Sequence, residues 1–526
     1  MSNAPRFSGS LPSLLPRWDL GLTRLKIAAL TREVTAPHSA ADDLYDALPN
    51  LTPEQVQLSP LGLHPGQVAD VRLRLQHHLA EQAKKFAGFQ INLDFTCAES
   101  IAPFLDSSLN NAGDPYESRA YSLNSKILER AVLDHFAALW NAPWPHDPNA
   151  PDTYWGYILA MGSTEGNLHG LWSARDYLSG APLFNDAVPP PPSVTSPPVL
   201  LYCEEAHYSI VKAARILNLD TPATLGNRLY PGENPLAPER PWPACVPARG
   251  GPSGDGDIDV EALTTLAQFF AARGHPLIVA LTCGTTFKGA HDDVPAVDAA
   301  LTAAYRGRPH PPHSRRPYWI HVDGALAATT APFQRMAAEA RLLPSAPPPF
   351  DFRVPGVCSL TTSAHKWLGT PWECGIYMTR TGLRPHPPAS AEYVGAPDTT
   401  LSGSRNGFSA LIMWERLAGH SYDDHIRTIV RCDHVADYAL HQLRELQSTL
   451  GIDLWPSRTP HSLAIRFRAP AQHLAHRYSL SCETHTIDGT ARTSAHLYAM
   501  PHLTTETVDL LIHDLRHPHA FEGDFT

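Results

Sequence analysis

Residues 359–375 read SLTTSAHKWLGTPWECG and place a lysine, Lys366, directly after a histidine in a Ser/Thr-rich run. The chain uses lysine sparingly, since only 7 of its 41 basic residues are lysines. Arginine would serve equally well as a solvated charge. A group that forms an imine must first lose its proton, which a lysine amine can do and a guanidinium cannot. Lys366 is therefore predicted to take part in covalent chemistry.

The segments around Lys366 alternate between short apolar runs and helical patterns. The apolar runs, predicted to be strands, cover residues 198–203, 277–283, 318–323, 358–362 and 375–379. Helical periodicity covers residues 125–140, 165–178 and 207–218. Strands that are apolar on both faces and separated by helices indicate a mostly parallel α/β sheet wrapped by helices.

The same pattern predicts three regions along the chain. Residues 1–120 read as an N-terminal segment of helices and irregular structure, and residues 121–385 read as the large α/β domain. Residues 386–526 are predicted to form a smaller α+β domain, because two helical patterns there flank strand-like runs at 461–469 and 491–500.

Length and composition exclude several classes of protein. With 526 residues, 43% hydrophobic and 18% charged, the chain is typical of a soluble enzyme and not of a disordered protein. Its net charge of −11 argues against nucleic acid as a partner, and its apolar stretches are too short to cross a membrane. The N-terminus lacks the apolar core of a signal peptide, and the eight cysteines show no CxxC spacing. We therefore expect a cytoplasmic protein without a metal site or a disulfide framework.

Three other segments place polar groups where apolar elements end. Asp323 closes a strand in HVDGALA, Ser163 and Thr164 lie in the turn that opens a helix in MGSTEGNLHGLW, and His207 lies at a strand-to-helix turn. Each has a structural alternative. Asp323 can cap a helix, Ser163 or Thr164 can form a capping box with Glu165, and a single histidine at such a turn is usually structural.

Together with Lys366 these groups match the requirements of pyridoxal phosphate. That cofactor is held through a lysine imine and tuned by a carboxylate that faces its ring nitrogen. A flat side chain can stack on the ring, and the backbone N–H groups of a helix N-terminus can bind the phosphate.

Seven sequence blocks occur in order between about residues 86 and 420, and they carry a family resemblance. They read NNAGDPYESRAYSLNSKILERAVLDHFAALW, YWGYILAMGSTEGNLHGLWSARDYL, HYSIVKAARIL, CGTTFKGAHDDV, HVDGALA, SAHKWLGTPWECGIY and TTLSGSRNGFSALIMWERL. In these blocks the chain resembles the group II pyridoxal-phosphate-dependent amino-acid decarboxylases. Within them it is nearest to the bacterial histidine decarboxylase branch and its actinobacterial methionine and valine decarboxylase relatives. The resemblance implies PLP fold type I, the aspartate-aminotransferase-like fold.

The resemblance also implies roles for individual residues. Lys366 would form the Schiff base, His207 would stack on the cofactor ring above Ala325, and Asp323 would keep the ring nitrogen protonated. Thr285 would lie near the ring hydroxyl. The phosphate would be bound by four further residues, which are Ser163, Thr164, Ser363 and His365.

Two further implications concern a homodimer with shared sites. Ser402 and Ser404 would contact the phosphate of the neighbouring subunit. Tyr393, in a mobile loop near residues 388–402, would deliver a proton to the substrate carbon in the partner's site. The alternative for Tyr393 is an ordinary loop aromatic.

One departure and one pocket segment bear on the substrate. Glu373 stands where relatives commonly have a proline, and we expect it to face outward or to pair with a basic residue. The segment FAGFQINLDFT (86–96) supplies Gln90 and Asn92 as substrate-pocket candidates. Because Gln90 is a neutral amide beside apolar groups, it favours a small-molecule L-amino acid with a neutral side chain, namely methionine, leucine or valine.

Three alternatives to this function remain open from the sequence. The substrate can be histidine or an aromatic amino acid. A transaminase or oxidative deaminase would anchor the substrate carboxylate with an arginine, for which Arg405, Arg466 and Arg468 are candidates. A catalytically silent homologue is the third alternative, against which the presence of Lys366 and Asp323 argues.

Overall fold

The computed structural model describes residues 51–117, 121–184, 196–307, 315–387, 390–391, 396–487 and 489–522. The chain divides into two compact units, Met1–Lys84 and Lys85–Thr526. The described part of the first unit contains a short helix α1 (Pro53–Val56) and a longer helix α2 (Pro65–Ala83). All elements described below belong to the second unit.

Six strands form the central sheet of the second unit. They are β1 (Tyr154–Leu159), β2 (Val199–Tyr202), β3 (Leu277–Thr282), β4 (Tyr318–Asp323), β5 (Val357–Ser363) and β6 (Gly375–Arg380). Their order across the sheet is β1-β6-β5-β4-β3-β2, and β2 to β5 run parallel while β6 is antiparallel to both of its neighbours. Nearly every strand residue is buried, which explains why the runs are apolar on both faces.

Helices alternate with these strands along the chain. They are α3 (Ala98–Ile101), α4 (Lys126–Leu139), α5 (Ser163–Leu178), α6 (Tyr208–Leu217), α7 (Pro222–Leu229), α8 (Val260–Ala272), α9 (Val294–Tyr305) and α10 (Ala327–Glu339). The predicted mostly parallel α/β sheet is therefore confirmed. The strand pattern missed β1, because its sequence YWGYIL interrupts a short aliphatic run with aromatic residues and a glycine.

The C-terminal region has the predicted α+β character. It contains α11 (Gly407–Ala418), α12 (Tyr422–Leu450), β9 (Ala464–Arg468), α13 (Gln472–Arg477), β10 (Ser481–Ile487), β11 (Thr490–Tyr498) and α14 (Thr505–Leu515). The strands β10, β11 and β9 form an antiparallel sheet in that order. Just before this region, β7 (Ser390–Ala391) pairs with β8 (Ala396–Pro397). Boundaries at residues 120 and 385 stay a prediction.

The helices in the described ranges include none with both the length and the apolar character that spanning a bilayer requires.

The register between β4 and β5 determines what lies at the carboxyl edge of the sheet. Asp323, the last residue of β4, pairs with Thr361 of β5. Backbone hydrogen bonds to β5 continue past the end of β4, from Gly324 N–H to the Thr361 carbonyl at 3.0 Å and from Ser363 N–H to the Ala325 carbonyl at 2.9 Å. The turn that carries Lys366 therefore begins beside Asp323.

Candidate active site

A cavity of about 220 Å³ opens at the carboxyl ends of β3, β4 and β5. Eight of the predicted site residues line it, and they are Ser163, Thr164, His207, Asp323, Ala325, Ser363, His365 and Lys366. Ligand sites of parallel α/β sheets lie at this edge. The sequence did not single out five further lining residues, which are Met161, Tyr208, Thr282, Gly284 and Thr286.

One end of the cavity is built from the N-terminus of α5. The N-cap of this helix is Gly162, whose φ of +61° lies in the left-handed region, and no side chain caps the helix. The capping-box alternative for Ser163 and Thr164 is therefore wrong. Ser163 N–H instead donates to Ser363 Oγ at 3.0 Å, and the Ser363 hydroxyl donates to Ser163 Oγ at 2.9 Å. A Cβ at position 162 would lie 2.7 Å from His365 Cε1, so the turn packs too closely for any residue but glycine.

Asp323 is buried, and its carboxylate is held from two directions. Oδ1 accepts a hydrogen bond from Ala325 N–H at 3.1 Å, and Oδ2 accepts one from Asn167 Nδ2 at 2.7 Å. Helix α10 has Leu326 as its N-cap. The capping alternative for Asp323 is therefore also wrong, and the carboxylate belongs to the cavity.

His207 has a structural role and also lines the cavity. It is the N-cap of α6, and its Nδ1 accepts from Ser209 N–H at 3.3 Å and lies 2.8 Å from Ser209 Oγ. Burial lowers the pKa of His207 below its usual 6.5, Asp323 opposes this shift, and the positive charges of Lys366 and Lys212 add to it. The imidazole is therefore neutral near pH 7.

Lys366 is part-buried, and the protein atoms around its amine exclude water. This desolvation lowers the pKa of Lys366 from 10.5 to about 8, while the nearby Asp323 carboxylate acts in the opposite direction. Nζ donates a hydrogen bond to Gln90 Oε1 at 2.7 Å. The amine is thus held at a fixed position and can release its proton close to neutral pH.

Gln90 is buried, and both of its amide hydrogens are in use. Nε2 donates to the Thr286 carbonyl at 3.0 Å and to the Tyr498 hydroxyl at 2.8 Å. Only the carbonyl oxygen of the amide therefore faces the Lys366 amine. Tyr498, on β11, was not among the predicted residues, because a tyrosine in a C-terminal strand gives no local signal of a site.

Gln90 contacts Lys366 but does not line the cavity, and two further predicted residues likewise lie next to the cavity without lining it. The Asn92 side chain donates to the Trp367 carbonyl at 2.9 Å, and Asn92 N–H donates to the Lys366 carbonyl at 2.9 Å, so this residue holds the lysine turn. The Thr285 hydroxyl accepts from Ala290 N–H at 3.0 Å, while its neighbours Gly284 and Thr286 line the cavity.

The residues expected to serve a partner subunit also lie outside the lining. Ser402 Oγ lies 3.4 Å from Glu165 Oε1, and Ser404 accepts from Asn110 Nδ2 at 3.2 Å on the surface. Tyr393 lies outside the described residues. Their roles in a shared site stay predictions.

Glu373 meets part of the expectation of an outward-facing or paired carboxylate. It is exposed, yet it lines the cavity, and its charge raises the pKa of His365 against the stronger lowering that burial and Lys366 cause. Within the described residues no ion pair involves Glu373. This carboxylate therefore stands at the mouth of the cavity.

The arginines considered as carboxylate anchors are used elsewhere. Arg405 is buried in an ion pair with Glu129, and Arg466 Nη2 lies 3.4 Å from Thr459 Oγ1. Arg468 lies over the rings of Trp455 and Phe521. Among the described residues that line the cavity there is no arginine.

The lining fits pyridoxal phosphate by the chemistry of its groups. Hydroxyls and helix N-terminal N–H groups at one end suit a phosphate. A buried carboxylate suits a protonated ring nitrogen, and a lysine amine of lowered pKa suits the aldehyde. Elsewhere in the described part of the chain, no cluster of three or more His, Cys, Asp or Glu side chains could hold a metal ion.

Comparisons with known proteins agree with this fit. The family described as "Pyridoxal-dependent decarboxylase conserved domain" matches residues 252–450. A histidine decarboxylase of Vibrio campbellii is 31% identical over 81% of this chain and 89% of its own length, and a serine decarboxylase of Oryza sativa is 28% identical over 83% and 75%. The crystal structure of L-methionine decarboxylase from Streptomyces sp. 590 with L-methionine methyl ester matches with a TM-score of 0.83. It is 39% identical, and the match covers 89% of this chain and 98% of that one.

Three findings lead to one conclusion. They are a relative more than 30% identical over most of its length, the mostly parallel sheet and the fit of the cavity to the cofactor. The chain belongs to the group II pyridoxal-phosphate-dependent decarboxylases of fold type I and is an amino-acid carboxy-lyase that uses pyridoxal phosphate.

Proposed function

We propose that this enzyme decarboxylates an L-amino acid with a neutral side chain, namely methionine, leucine or valine, to the primary amine and carbon dioxide. The observation that carries the proposal is the environment of Gln90. This uncharged amide contacts the Lys366 amine and has both of its own hydrogens occupied by the Thr286 carbonyl and Tyr498. Met161 and Tyr208 add apolar surface to the cavity lining. Such a surface suits a side chain without charge.

The similarity to methionine decarboxylase supports this choice. Its identity of 39% exceeds the 31% identity of the histidine decarboxylase from Vibrio campbellii. Within the cavity, Glu373 is the one carboxylate near the entrance, and it is exposed to water. A cationic substrate side chain would therefore find no buried counter-charge besides Asp323.

The roles of the site residues follow from their positions. Lys366 is the group that binds the cofactor aldehyde, and Asp323 keeps a proton on the ring nitrogen because a nearby anion raises the pKa of a cationic acid. Ser163, Thr164 and Ser363 bind the phosphate with neutral donors at the N-terminus of α5. His207 would stack on the ring, and Ala325 belongs to the same lining.

Bound pyridoxal phosphate supplies an electron sink for the electron pair that remains on the substrate Cα when carbon dioxide leaves. The residues of this chain prepare that step. Asp323 holds the proton on the ring nitrogen, and Gln90 with Tyr498 fixes the position of the Lys366 amine. In the partner's site, Tyr393 provides the proton that the Cα needs afterwards.

The two other reaction classes have less support. An aminotransferase needs an arginine beside the substrate carboxylate, and the candidate Arg405 is committed to Glu129. A silent homologue would have no use for a lysine, a carboxylate and a histidine that converge on one cavity.

We infer a homodimer in the cytoplasm as the working form of the enzyme. Ser404 is exposed and outside the cavity of its own chain, which suits a residue that serves a neighbour. All eight cysteines are free thiols, which suits a reducing compartment. Cell fractionation tests the location, and the shared site is tested by the mixing experiment described last in this section.

Lys366 should be the amine that pyridoxal phosphate protects. In cofactor-free protein we expect acylation of Lys366 to increase through about pH 8, because below that pH the amine is protonated and unreactive. Pyridoxal phosphate should abolish labelling of Lys366 and leave the exposed Lys212 labelled. Competitive labelling with peptide mass spectrometry measures both. Protection of a different lysine would contradict the proposed site.

A panel of the twenty standard L-amino acids tests the reaction and its substrate. We expect the highest kcat/KM with methionine, leucine or valine and a value at least about tenfold lower with histidine, since a mismatched polar group costs about 1.4 kcal/mol or more. Amine and carbon dioxide should appear in equal amounts. A keto acid as the main product would exclude decarboxylation, while a preference for histidine would overturn only the proposed substrate class.

Replacement of Gln90 by leucine should alter substrate choice. We expect kcat/KM to fall about tenfold, because the Lys366 amine loses its hydrogen-bond acceptor, and we expect the methionine-to-leucine ratio of kcat/KM to change. The control is Gln334→Leu, a buried glutamine on α10 whose side chain donates to the His461 carbonyl, whereas Gln90 accepts from the Lys366 amine. An unchanged ratio in Gln90→Leu would remove Gln90 from the substrate pocket.

Mixing two inactive variants tests the shared site. Lys366→Ala and Tyr393→Phe proteins should each be nearly inactive, and after subunit exchange the mixture should recover about a quarter of wild-type activity. Half of the randomly assembled dimers are hybrids, and each hybrid has one intact site out of two. Subunit exchange is verified with differently tagged chains. If exchange occurs without recovery, each chain completes its own site.

A further inference from the structure

A buried hydrogen-bond network runs along one face of the sheet, from the start of β4 to the cavity. It starts at Trp319 of β4, whose Nε1 donates to Ser359 Oγ of β5 at 2.9 Å. Ser359 Oγ lies 2.8 Å from Nδ1 of His321, two residues further along β4. All three side chains are fully buried.

The network continues through α5 to the cavity. His321 Nε2 lies 2.9 Å from Asn167 Oδ1, and Asn167 Nδ2 contacts both Asp323 Oδ2 at 2.7 Å and Ser209 Oγ at 2.8 Å. Ser209 Oγ lies 2.8 Å from His207 Nδ1. The path from Trp319 to His207 passes through six side chains, which we call the Trp319–His207 network: Trp319, Ser359, His321, Asn167, Ser209 and His207. Asp323 contacts the network at Asn167. One amide thus contacts both Asp323 and the serine that contacts His207.

Close packing of α5 on β4 makes these contacts possible. A Cβ on Gly170 would lie 2.4 Å from His321 Nδ1, so only glycine at this helix position lets the imidazole approach. Asn167 lies one turn earlier on the same face of α5, and it is fully buried.

The direction of each hydrogen bond follows from which groups can donate and which can accept, beginning with the Asp323 carboxylate. The Asp323 carboxylate only accepts, so the Asn167 amide nitrogen faces it and the acceptor Oδ1 faces His321 Nε2, which must donate. Burial lowers the pKa of His321 to about 4, so its ring is neutral and its Nδ1 is unprotonated. Nδ1 therefore accepts from the Ser359 hydroxyl, which itself accepts from the Trp319 indole N–H. The Asn167 amide hydrogens then go to Asp323 and Ser209, in agreement with a carboxylate that only accepts.

We propose that Asn167 and Ser209 are positioning residues that hold His207 as the tautomer with an unprotonated Nδ1 and a proton on Nε2. The Ser209 hydroxyl accepts from Asn167, so its own hydrogen goes to His207 Nδ1, where the Ser209 N–H also donates. This inference deepens the proposed function and rests on it, because it concerns the residue that lies against the cofactor ring. In this tautomer, Nε2 is the one ring nitrogen of His207 that can donate a proton.

The charged groups around His207 do not set this tautomer by themselves. Asp323 at the end of β4, Lys366 in the turn after β5 and Lys212 on α6 act on the imidazole, with opposite signs. A through-space charge acts on the whole ring, whereas the Ser209 hydroxyl acts on Nδ1 alone. Removal of that hydroxyl leaves only the longer 3.3 Å contact of the Ser209 N–H on Nδ1, so protonation of Nδ1 should become easier.

Deuterium exchange at the imidazole C2–H of His207 tests the proposal in cofactor-free protein. The exchange rate follows deprotonation of the ring, and the tryptic peptide 176–212 contains His207 as its only histidine. We expect a wild-type midpoint below pH 6.5 and a higher midpoint in Ser209→Ala, by about half a pH unit or more, because the neutral form loses a donor to Nδ1. Ser209→Thr keeps the hydroxyl and should retain the wild-type midpoint.

A second measurement, the Kd for pyridoxal phosphate, tests the contact between Asn167 and Asp323. In Asn167→Ala we expect the Kd for pyridoxal phosphate, measured by titration of the cofactor-free protein, to increase about tenfold, since Asp323 loses a hydrogen-bond donor. The control is Asn234→Ala, a buried asparagine that contacts the backbone carbonyls of Arg240 and Pro241 outside the cavity. Thermal unfolding identifies folded variants. If Asn167→Ala does not fold, the comparison of Ser209→Ala with Ser209→Thr alone tests the positioning role.

The outcomes separate this proposal from the proposed function. If Ser209→Ala folds and leaves the His207 midpoint unchanged, the positioning role is overturned even where Lys366 is protected by the cofactor. A shifted midpoint in a protein whose Lys366 is not protected would support the network and reject the proposed site.

Discussion

The site depends on one amine that is held away from water beside a carboxylate. Parallel pairing of β4 with β5 puts Asp323 opposite Thr361, and two hydrogen bonds past the end of β4 keep the following residues, Gly324 and Ala325, beside the end of β5. The turn after β5 therefore presents Lys366 to the cavity with its pKa lowered to about 8 by desolvation. A longer or looser connection would let water reach the amine and return its pKa toward 10.5. The other parts of the cavity are arranged around this edge.

The two sides of the cavity are built in different ways. On the cofactor side, the groups come from strand ends and helix starts, whose positions the sheet determines. On the side proposed for the substrate, Gln90 and Tyr498 are 408 residues apart in sequence and meet by packing of an N-terminal segment against β11. Variation in these two segments changes the substrate side without disturbing the sheet. This division suits a family in which relatives of 28–39% identity carry the names of histidine, serine and methionine decarboxylases.

The sequence predicted the fold well, and eight of the predicted site residues line one cavity, because both follow from local patterns. Buried parallel strands are apolar throughout, and the polar residue that ends such a strand, Asp323, stands out. Capping was the wrong alternative for Ser163 and Asp323, since Gly162 and Leu326 occupy the N-cap positions. Asn167 escaped notice, because a polar residue inside a helix usually faces solvent and its burial depends on a strand that lies 154 residues away. Contacts between segments that are distant along the chain cannot be recognised from a single sequence.

The charge balance of the cavity follows from this arrangement. Among the described residues that line it, Lys366 is the one lysine and no arginine is present, so the phosphate end relies on hydroxyls and on N–H groups of α5. The partial positive charge of a helix N-terminus, worth about half an elementary charge, suits an anion there without a permanent cation. Glu373 would oppose this attraction, but its exposure lets water and salt screen its charge. Burial keeps His207 neutral, so it adds no further positive charge to the cavity. Lys366 is therefore the cation that acts on Asp323 in this structure, and in the proposed site a protonated ring nitrogen would be the partner of that carboxylate.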